Sequence, residues 1–387
     1  MKNKKIDLIV KYFYPVAAGI ETNTLETYSI LAKEGFNVII HTSINSLVEK
    51  NIYKNYEEYR GLKIKRFEFN KYLLNPKIDY KNSDIIALHN FDVLPHLTIM
   101  LKSLFFKILG KKNYKLILTP HGGFNPEWSI FKPQIALAKS IYHFTLGTFL
   151  INLTVDSVRA VSEWERQEII KKGVNPSKVV VISNGLEDEA FKDVENLASN
   201  DIKQKVKSFG KYIIQIGRVY PIKNYETTIK ALAKCPKDLK YIIAGPIANE
   251  NYKTKLDNLI KKLNLKNRVI FVGVIRGIDK YYLIKHAQIM VHMAIWESFC
   301  NVVHEGLSQG LPIIVANNTA LPYIIKNNVN GYCVETKNYQ KLASKIDFIL
   351  KNMNGKEIKD MKKRNKNVGT DESWTSTALK MKELYEK

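Results

Sequence analysis

The stretch from residue 212 to residue 244 reads YIIQIGRVYPIKNYETTIKALAKCPKDLKYIIA. It begins with the apolar run Tyr212–Ile216 and ends with a second apolar run, Tyr241–Ala244. Between them, Tyr225–Lys234 carries apolar side chains at helical spacing. Short apolar runs separated by a helical period are typical of parallel strands joined by a crossover helix. The stretch therefore predicts a strand–helix–strand unit of a parallel α/β sheet.

The same alternation extends through both halves of the chain. In the first half it predicts strands at Ile6–Val10, Asn37–Thr42, Leu62–Phe67, Asp84–His89, Lys115–Thr119, Val158–Ser162 and Lys178–Ser183. In the second half it predicts strands at Tyr212–Ile216, Tyr241–Ala244, Val269–Val272, Gln288–Ala294 and Pro312–Ala316. Two such series predict an α/β protein of two Rossmann-like, doubly wound domains that face each other across a cleft. Ligands of such sheets bind beyond the carboxyl ends of the strands.

A polar stretch with little strand character separates the two series. We therefore predict a linker region over residues 191–211. It would join an N-terminal domain of residues 1–190 to a C-terminal domain of residues 212–370. Residues 371–387 are predicted to form a terminal helix.

The composition is that of a globular chain with an unusual charge. The 387 residues are 45% hydrophobic and 25% charged, which excludes a disordered, collagen-like or coiled-coil chain. Three scattered cysteines exclude a disulfide scaffold and a CxxC zinc site, and they indicate a reducing compartment. Lys and Arg number 60 against 37 Asp and Glu, a net charge of +23. This excess predicts a polyanionic neighbour (nucleic acid, an anionic membrane or a phosphorylated ligand), unless it reflects only AT-biased coding.

No segment has the length of a signal peptide core or a membrane span. The apolar core near the N-terminus, Ile6–Val10, is too short for a signal peptide and is interpreted as a strand. The nearest approach to a long apolar run, Ile141–Val155, contains His143 and Asn152 and predicts a core helix followed by a strand. These features predict a cytoplasmic protein.

Two carboxylates lie eight residues apart in the segment WESFCNVVHEGLSQGLPIIVA. Glu297 precedes a predicted helix that begins near Val302, and Glu305 lies in the first turns of that helix. A helix N-terminus offers free N–H groups to anionic or hydroxyl-rich ligands, and carboxylates accept hydrogen bonds from sugar hydroxyls. The pair therefore indicates a site for a polyol. The alternative is that both residues only cap and decorate the helix.

Residues suited to ligand binding follow three other predicted strands. Arg218 follows a strand-end glycine and Lys223 comes five residues later, so together they could clamp a diphosphate; the alternative is two solvated cations. His121 directly follows a strand, where a parallel sheet exposes ligand-binding residues, although a lone histidine is more often structural. The loop Tyr14–Glu21 contains Gly19 and can bring its backbone close to a phosphate or sugar.

Several nucleotide-binding and metal-binding motifs are absent from the sequence, namely GxGxxG, GxxxxGK[ST], Asp-x-Asp and HExxH. A dinucleotide-binding fold is therefore unsupported. The acidic run Glu187–Glu189 is interpreted as a solvated turn. We predict no metal site and no cofactor.

Taken together, these motifs resemble those of the family 4 glycosyltransferases, a group of retaining enzymes that use nucleotide sugars and have the GT-B fold. The resemblance covers nearly the whole chain. It is carried by FYPVAAGIETNTLETYSILAKEGFNVIIHTS, TPHGG, VRAVSEWERQEIIKKGVNPSKVVVISNGLEDEAF, IGRVYPIKN, ESFCNVVHEGLSQGLPIIVAN and DESWTSTALKMKELYEK. The last of these is similar to the terminal helix that, in the family, crosses back onto the first domain.

The resemblance implies a role for each nucleotide-binding candidate. Arg218 and Lys223 would hold the donor diphosphate and stabilise the leaving group. Glu305 would bind the ribose hydroxyls. The backbone near Val274 would face the base.

The resemblance also implies a set of residues around the transferred sugar. Glu297 would bind hydroxyls of that sugar, and His121 would contact it near the reacting carbon. Gly19 would lie beside a phosphate or the acceptor. Backbone N–H groups would help to hold the sugar at four consecutive residues, Phe299, Cys300, Asn301 and Val302.

The chain departs from the family pattern at two positions. Ala18 and Cys300 stand where the family usually has glycine, and their side chains narrow the pocket without removing a charged group. The resemblance therefore still implies an active hexosyltransferase that needs no metal, with a UDP-linked or GDP-linked donor. By the same analogy neither glutamate is a nucleophile, and the leaving phosphate takes the acceptor proton.

Residues 93–126 form a basic, apolar stretch without Asp or Glu. Its lysines are Lys102, Lys107, Lys111, Lys112 and Lys115. With the interleaved apolar residues of 104–109, they predict a helix that can rest on an anionic membrane. The alternative is an ordinary helix packed against the sheet. A membrane contact would suit a glycan or lipid-linked acceptor of cell-envelope glycan synthesis, at the inner face of the membrane.

Two other classes of function compete with this interpretation. A nucleic-acid-binding protein would explain the charge of +23, but no nucleic-acid module is present in the sequence. A catalytically silent, glycan-binding relative is expected to have lost Arg218, Lys223 or Glu305, and all three are present.

Overall fold

The computed structural model describes residues 4–15, 19–45, 53–367 and 372–387. It divides the chain into two compact units. The first contains Met1–Gly185 together with Trp374–Lys387, and the second contains Leu186–Ser373. Each unit has its own largely parallel sheet, so the predicted pair of α/β domains is confirmed.

The first unit contains an eight-stranded sheet. Its strands are β1 (Lys5–Ile9), β2 (Asn37–Ser43), β3 (Tyr56–Tyr59), β4 (Leu62–Phe67), β5 (Ile85–His89), β6 (Lys115–Thr119), β7 (Ser157–Ala160) and β8 (Val179–Val181). Their order is β3-β4-β2-β1-β5-β6-β7-β8, and only β3 and β4 pair in antiparallel fashion. A central strand such as β5 is buried along its whole length, which is why it reads as a continuous apolar run.

Helices cover both faces of this sheet. Those before residue 185 are α1 (Gly19–Lys33), α2 (Phe69–Leu74), α3 (His96–Ile108), α4 (Pro133–Phe144), α5 (Leu146–Thr154) and α6 (Glu163–Lys171). Alternate side chains of β5 enter two different apolar clusters, because successive residues of a strand point to opposite faces. The first unit therefore has two core layers, one on each side of its sheet.

The second unit contains a six-stranded, fully parallel sheet in the order β11-β10-β9-β12-β13-β14. Its strands are β9 (Tyr212–Ile216), β10 (Lys240–Ala244), β11 (Val269–Gly273), β12 (Ile289–His292), β13 (Ile313–Ala316) and β14 (Tyr332–Val334). Its helices are α7 (Val194–Leu197), α8 (Asn200–Phe209), α9 (Tyr225–Leu232), α10 (Glu250–Lys262), α11 (Gly277–Lys285), α12 (Asn301–Ser308), α13 (Leu321–Ile324), α14 (Tyr339–Lys351) and α15 (Lys356–Lys366).

The last helix, α16 (Trp374–Glu386), completes the first unit. It packs against α1, and its side chains Ala378, Met381 and Tyr385 are buried in the apolar cluster on that side of the sheet. The first unit is therefore built from two separate segments of the chain. This is the placement that the resemblance implied for the terminal helix.

The structure corrects the predicted linker. Residues 191–211 belong to the second unit and contain α7 and α8. Ile202, Val206 and Phe209 are buried along one side of α8. The apolar residues of α8 form a single stripe within a polar segment. Such a segment has the composition of a linker, so the sequence does not indicate that it packs onto a domain. The boundary between the units lies at Gly185–Leu186 and not at residue 190.

Three further elements differ from the sequence-based expectation. The strands β3 and β14 were not predicted. The run Ile141–Val155 forms the end of α4 and all of α5, and no strand begins within it. Within the described parts of the chain, no helix is both long and apolar enough to cross a membrane.

In both sheets the strand order reverses beside the first strand of the unit. In the first unit β1 lies between β2 and β5, and in the second unit β9 lies between β10 and β12. Successive crossovers therefore leave that strand towards opposite edges of the sheet. Such a switch point opens a crevice at the carboxyl ends of the two strands.

Candidate active site

The lysine of the predicted diphosphate clamp contacts one of the two predicted sugar-site glutamates. Lys223 ends a short 3-10 turn after β9, and Glu297 lies in the loop after β12. The Lys223 Nζ atom lies 2.5 Å from Glu297 Oε1, and both side chains are largely buried. The two residues meet because β9 and β12 are neighbouring strands at the switch point.

Two neighbours hold the Glu297 carboxylate in its ionised form. Its Oε1 atom also accepts a hydrogen bond from His292 Nε2 at 2.7 Å. Burial alone would favour the neutral acid, but Lys223 and His292 outweigh it and lower the pKa of Glu297 to about 2. Burial also lowers the pKa of His292, so this residue donates as a neutral imidazole.

Arg218 is the exposed member of the predicted clamp. Among the described residues, none forms a hydrogen bond or ion pair with its guanidinium group. The loop that carries it is held by backbone hydrogen bonds from Gly217 N and Val219 N to residues 244 and 246, and it packs against Gly245, which has φ 143°. A Cβ atom at Gly245 would collide with the carbonyl oxygen of Gly217, so only glycine fits there. An unpaired guanidinium on a fixed loop is suited to binding an anion.

The second glutamate, Glu305, belongs to a buried charge cluster. Lys280 Nζ lies 3.1 Å from Glu305 Oε1 and 2.8 Å from Glu187 Oε2. Burial opposes the charge on Lys280, but the two carboxylates raise its pKa above the usual value. Glu305 Oε2 is buried and accepts no hydrogen bond from the described residues, so it remains an acceptor for a ligand hydroxyl.

The segment between the two glutamates leads into α12. Cys300 is the N-cap of this helix and has φ 70°, a left-handed conformation that favours glycine. That conformation accounts for the glycine usual at this position in the family pattern. Phe299 stacks on His304, with ring centroids 4.4 Å apart. Phe299 and Cys300 are buried, whereas Asn301 and Val302 are partly exposed at the start of the helix.

Two predicted site residues are exposed at the carboxyl edges of their sheets. Val274 follows β11 and is 51% exposed. Gly19 is the first residue of α1, and an added Cβ atom there would meet no atom within 4 Å. The preceding residue, Ala18, lies outside the described residues. Both candidates are therefore open to solvent.

The side chains of His292, Glu297 and Cys300 place their ligand atoms within 4.8 Å of one another, as the ligands of a metal ion would. Two features of the site oppose metal binding. The Lys223 ammonium already occupies the position of a cation beside Glu297. Burial also raises the pKa of the Cys300 thiol well above its usual value, so the thiolate form is disfavoured. This donor set therefore does not fit a metal ion.

In the first unit, His121 ends a buried chain of hydrogen bonds. His121 Nε2 lies 2.9 Å from His89 Nδ1, and His89 Nε2 lies 2.9 Å from the Tyr28 hydroxyl. That hydroxyl lies 2.5 Å from the Tyr385 hydroxyl on α16. Burial, together with the charge of Arg159, lowers the pKa of His121 to about 3, so the imidazole is neutral. Its Nδ1 atom has no hydrogen-bond partner among the described residues and is left for a ligand.

Glu165 fixes the loop that carries His121. It lies in the first turn of α6, where its Oε1 accepts a hydrogen bond from Gly122 N and its Oε2 accepts one from Val161 N at 2.7 Å. Burial raises the pKa of Glu165 to about 7, although both backbone hydrogen bonds favour the carboxylate. The residue after His121 is thereby tied to the start of a helix.

Of the predicted residues of the second unit, Lys223 and Cys300 cluster around Glu297, and Glu305 belongs to a second cluster, whereas Arg218 and Val274 are exposed. Three members of these clusters were not predicted. His292 ends β12, but the predicted strand continues to Ala294, so the sequence placed this histidine inside a strand and not at its carboxyl end. Lys280 lies within a helix and carried no signal. Glu187, interpreted from the sequence as part of a solvated turn, is instead ion-paired with Lys280.

Two family models match the chain, one for each unit. The model described as Glycosyltransferase Family 4 matches residues 17–190. The model described as Glycosyl transferases group 1 matches residues 198–368. Together the two matches include most of the chain, in the order that the resemblance implied.

Two relatives with curated descriptions are glycosyltransferases. An uncharacterized glycosyltransferase of Methanocaldococcus jannaschii is 29% identical over 59% of this chain and 59% of its own length, so the alignment spans less than two thirds of that relative. The UDP-Gal:alpha-D-GlcNAc-diphosphoundecaprenol alpha-1,3-galactosyltransferase of Escherichia coli is 23% identical over 99% of this chain and 97% of its own length.

The fold also matches a solved structure over its full length. The crystal structure of HepE from Anabaena in complex with UDP has a TM-score of 0.76 and 18% identity, and the match covers 99% of each chain. A second crystal structure of HepE contains UDP-glucose. With both domain matches in this order on two parallel α/β units, the chain belongs to the GT-B glycosyltransferases, with a first domain of the family 4 type and a second domain of the group 1 type.

Proposed function

We propose that the protein transfers a hexose from a nucleoside diphosphate sugar with retention of anomeric configuration. The observation that carries this proposal is the contact between Lys223 and Glu297. In this proposal the Lys223 ammonium serves the diphosphate, and the adjacent Glu297 carboxylate binds the sugar hydroxyls. Arg218 supplies a second cation from the same loop, and the unpaired oxygen of Glu305 accepts a ribose hydroxyl.

The remaining candidates complete the donor site in this proposal. The backbone near Val274 faces the base, and the backbone N–H groups at the start of α12 hold the sugar. His121 binds a sugar hydroxyl through Nδ1, and Gly19 lies beside a phosphate or the acceptor. The HepE complexes with UDP and UDP-glucose favour uridine as the nucleoside.

The proposed reaction breaks the bond between the anomeric carbon and the diphosphate oxygen. The acceptor oxygen then bonds to the same face of that carbon, and its proton passes to the leaving phosphate. Arg218 and Lys223 stabilise the charge that develops on the diphosphate, which is the kind of electrostatic contribution that is usually largest in enzymes. Glu297 binds rather than attacks, because its Oε1 accepts hydrogen bonds from both Lys223 and His292.

We also propose that the reaction needs no metal ion, since two cations already serve the diphosphate. Activity is therefore expected to persist in excess EDTA. A complete loss of activity on chelation, restored by Mg²⁺ or Mn²⁺, would contradict this part of the proposal.

The acceptor proposed here is a lipid-linked glycan of the cell envelope. Support comes from the Escherichia coli relative, whose name specifies a sugar on diphosphoundecaprenol as its acceptor. The net charge of +23 is consistent with a substrate that carries a diphosphate and lies on an anionic membrane. In this proposal the protein acts at the inner face of the membrane.

The experiment that tests the donor proposal is a panel of UDP-linked and GDP-linked sugars incubated with the purified protein. Slow release of the nucleoside diphosphate is expected for one hexose donor, and the products of a competent acceptor should keep the anomeric configuration. The double variant Arg218→Ala/Lys223→Ala should be inactive. Normal rates in that double variant would remove the diphosphate clamp from the proposal.

A further inference from the structure

Exposed apolar side chains are concentrated on three helices of the first unit. Half of the large apolar side chains that are exposed in the described residues lie on or beside α3, α4 and α5. They are Leu101, Phe105, Ile108, Leu109, Ile135, Leu137, Ile141, Phe144, Leu146 and Phe149. A concentration of exposed apolar side chains marks an interaction site more often than single, scattered ones do.

These three helices form one group, because α5 packs against both α3 and α4. The middle of α4 has no buried face at all: only Tyr142 and His143, near its end, are buried. Its residues Ile135, Leu137 and Ile141 are 49%, 63% and 56% exposed. The sequence predicts a core helix and then a strand over Ile141–Val155, whereas the structure leaves Ile141, Phe144 and Phe149 more than half exposed.

The charges on the three helices have one sign, and the two acidic residues beside them, Asp92 and Asp156, are each paired with a lysine. No acidic residue occurs in α3, α4 or α5. Lys102, Lys107, Lys111 and Lys132 are exposed on or beside these helices. Lys172 places its ammonium group 3.6 Å from the centre of the Phe144 ring, so cations also lie directly against the apolar side chains. An apolar surface bordered by cations is complementary to a bilayer with anionic headgroups.

We propose that the surface formed by α3, α4 and α5 binds an anionic membrane and inserts its apolar side chains below the headgroups. The inference rests on the proposed function, because this contact would bring the first domain to a lipid-linked acceptor. A second copy of the chain is a poorer occupant, since a self-complementary contact would bring like charges together. The lysines would supply attraction at a distance, and the side chains of α4 and α5 would supply burial.

The test is sedimentation of the full chain with vesicles, without nucleotide or acceptor. Vesicles of phosphatidylcholine alone are compared with vesicles that also contain phosphatidylglycerol. We expect binding to the anionic vesicles at low salt and weaker binding at high salt, because screening shortens the range of the attraction. Absence of binding to anionic vesicles at low salt would overturn the inference.

Two variants separate insertion from attraction. Ile141→Ser/Phe149→Ser should reduce vesicle affinity by at least about tenfold, because it removes apolar side chains that would be buried. The matched control is Leu379→Ser on α16, since Leu379 is 43% exposed in the same unit. It should bind as the unmodified protein does. Equal affinities in all three proteins would overturn insertion.

The charge variant Lys102→Glu/Lys111→Glu should also weaken binding by about tenfold or more. Its control, Lys362→Glu/Lys363→Glu, changes two exposed lysines near the end of α15 in the other unit. If both charge variants weaken binding equally, the attraction belongs to the whole molecule and the docking surface is wrong. Each variant must show the circular dichroism of the unmodified protein before it is compared.

Two further measurements give each alternative its own outcome. Sedimentation velocity without vesicles detects self-association, and a dimer that Ile141→Ser/Phe149→Ser dissociates would replace the membrane with a second copy. Donor hydrolysis in solution is measured in parallel and should be unchanged in every variant. Vesicle binding without hydrolysis would contradict the proposed function alone, and hydrolysis without vesicle binding would contradict this inference alone.

Discussion

Arg218 and Lys223 are expected to differ in what their removal does, because only one of them is part of the packed structure. Arg218 is exposed and unpaired among the described residues, whereas Lys223 compensates the buried charge of Glu297. Arg218→Ala should lower turnover by about 10²-fold and leave the melting temperature unchanged. Lys223→Ala should lower both, because it leaves a carboxylate buried without its cation.

The matched control for these two variants is Lys237→Ala, which removes an exposed cation of the same unit. It should change neither turnover nor melting temperature. The measurements are donor hydrolysis and thermal unfolding on the same samples. A melting temperature that falls as far in Arg218→Ala as in Lys223→Ala would show that the packing argument is wrong.

Glu165 should make the stability of the first unit depend on pH. Its pKa is about 7 in the folded protein and near 4.5 when unfolded. Between these values the folded protein binds more protons than the unfolded chain, so the free energy of unfolding falls as pH rises. Compared with Glu165→Gln, the unmodified protein should lose about 3 kcal/mol over this range. Urea unfolding at about pH 5 and about pH 8 measures the difference.

The control for this pH effect is Glu163→Gln, which changes a half-exposed carboxylate on the same helix. Its stability relative to the unmodified protein should show no comparable change between the two pH values. If Glu165→Gln changed the free energy of unfolding equally at both pH values, the prediction would be wrong. The carboxyl group of Glu165 would then be ionised over the whole range, stabilised by its two backbone N–H donors.

At the scale of elements, α16 is predicted to be an essential part of the first core. Met381 is fully buried in that core, and Leu379 on the same helix is 43% exposed. Met381→Ala should lower the free energy of unfolding of the first unit by about 2–5 kcal/mol, whereas Leu379→Ala should change it little. Unfolding in denaturant, followed separately for the two units, is the measurement. Equal effects of the two substitutions would mean that α16 is only loosely attached.

The central parallel strands were predictable because each is buried on both faces and therefore reads as an apolar run. This applies to β5, with the sequence IIALH, and to β9, with YIIQI. The strand β3 has the sequence YEEY and lies exposed at the edge of the sheet, where no apolar run is required. The helix α8 was missed for a related reason, since its one buried stripe lies within a polar segment.

The candidate site was predictable to the extent that its residues follow strands. Lys223 and Glu297 come after β9 and β12, and the order of strands in a doubly wound sheet brings such loops together. Lys280 was not predictable, because its contact with Glu305 and Glu187 depends on how a helix packs. Pairings of this kind arise from tertiary structure, which local sequence patterns do not specify.

For the whole molecule, we predict that a nucleoside diphosphate stabilises the two units unequally. The clusters around Lys223, Glu297 and Glu305 all lie in the second unit. A ligand at about 100 times its dissociation constant should stabilise that unit by about 2.7 kcal/mol. Calorimetry with and without UDP measures the shift of each unfolding transition. The transition of the first unit is the one that Met381→Ala moves to lower temperature.

Arg218→Ala is the control for this prediction, since it should reduce the shift while the protein stays folded. A shift confined to the transition of the first unit would place the diphosphate elsewhere. That result would also remove the main support for the donor site proposed here.

The construction of the first unit from two segments sets an order of events during protein synthesis. Between Gly185 and α16 the ribosome must add the whole of Leu186–Ser373. At about 5–20 residues per second this takes roughly 10–40 s. Throughout that interval the surface of α1 that receives Met381 and Tyr385 stays open to water, as a target for chaperones. The domain whose synthesis begins first is therefore the one whose last segment is synthesised last.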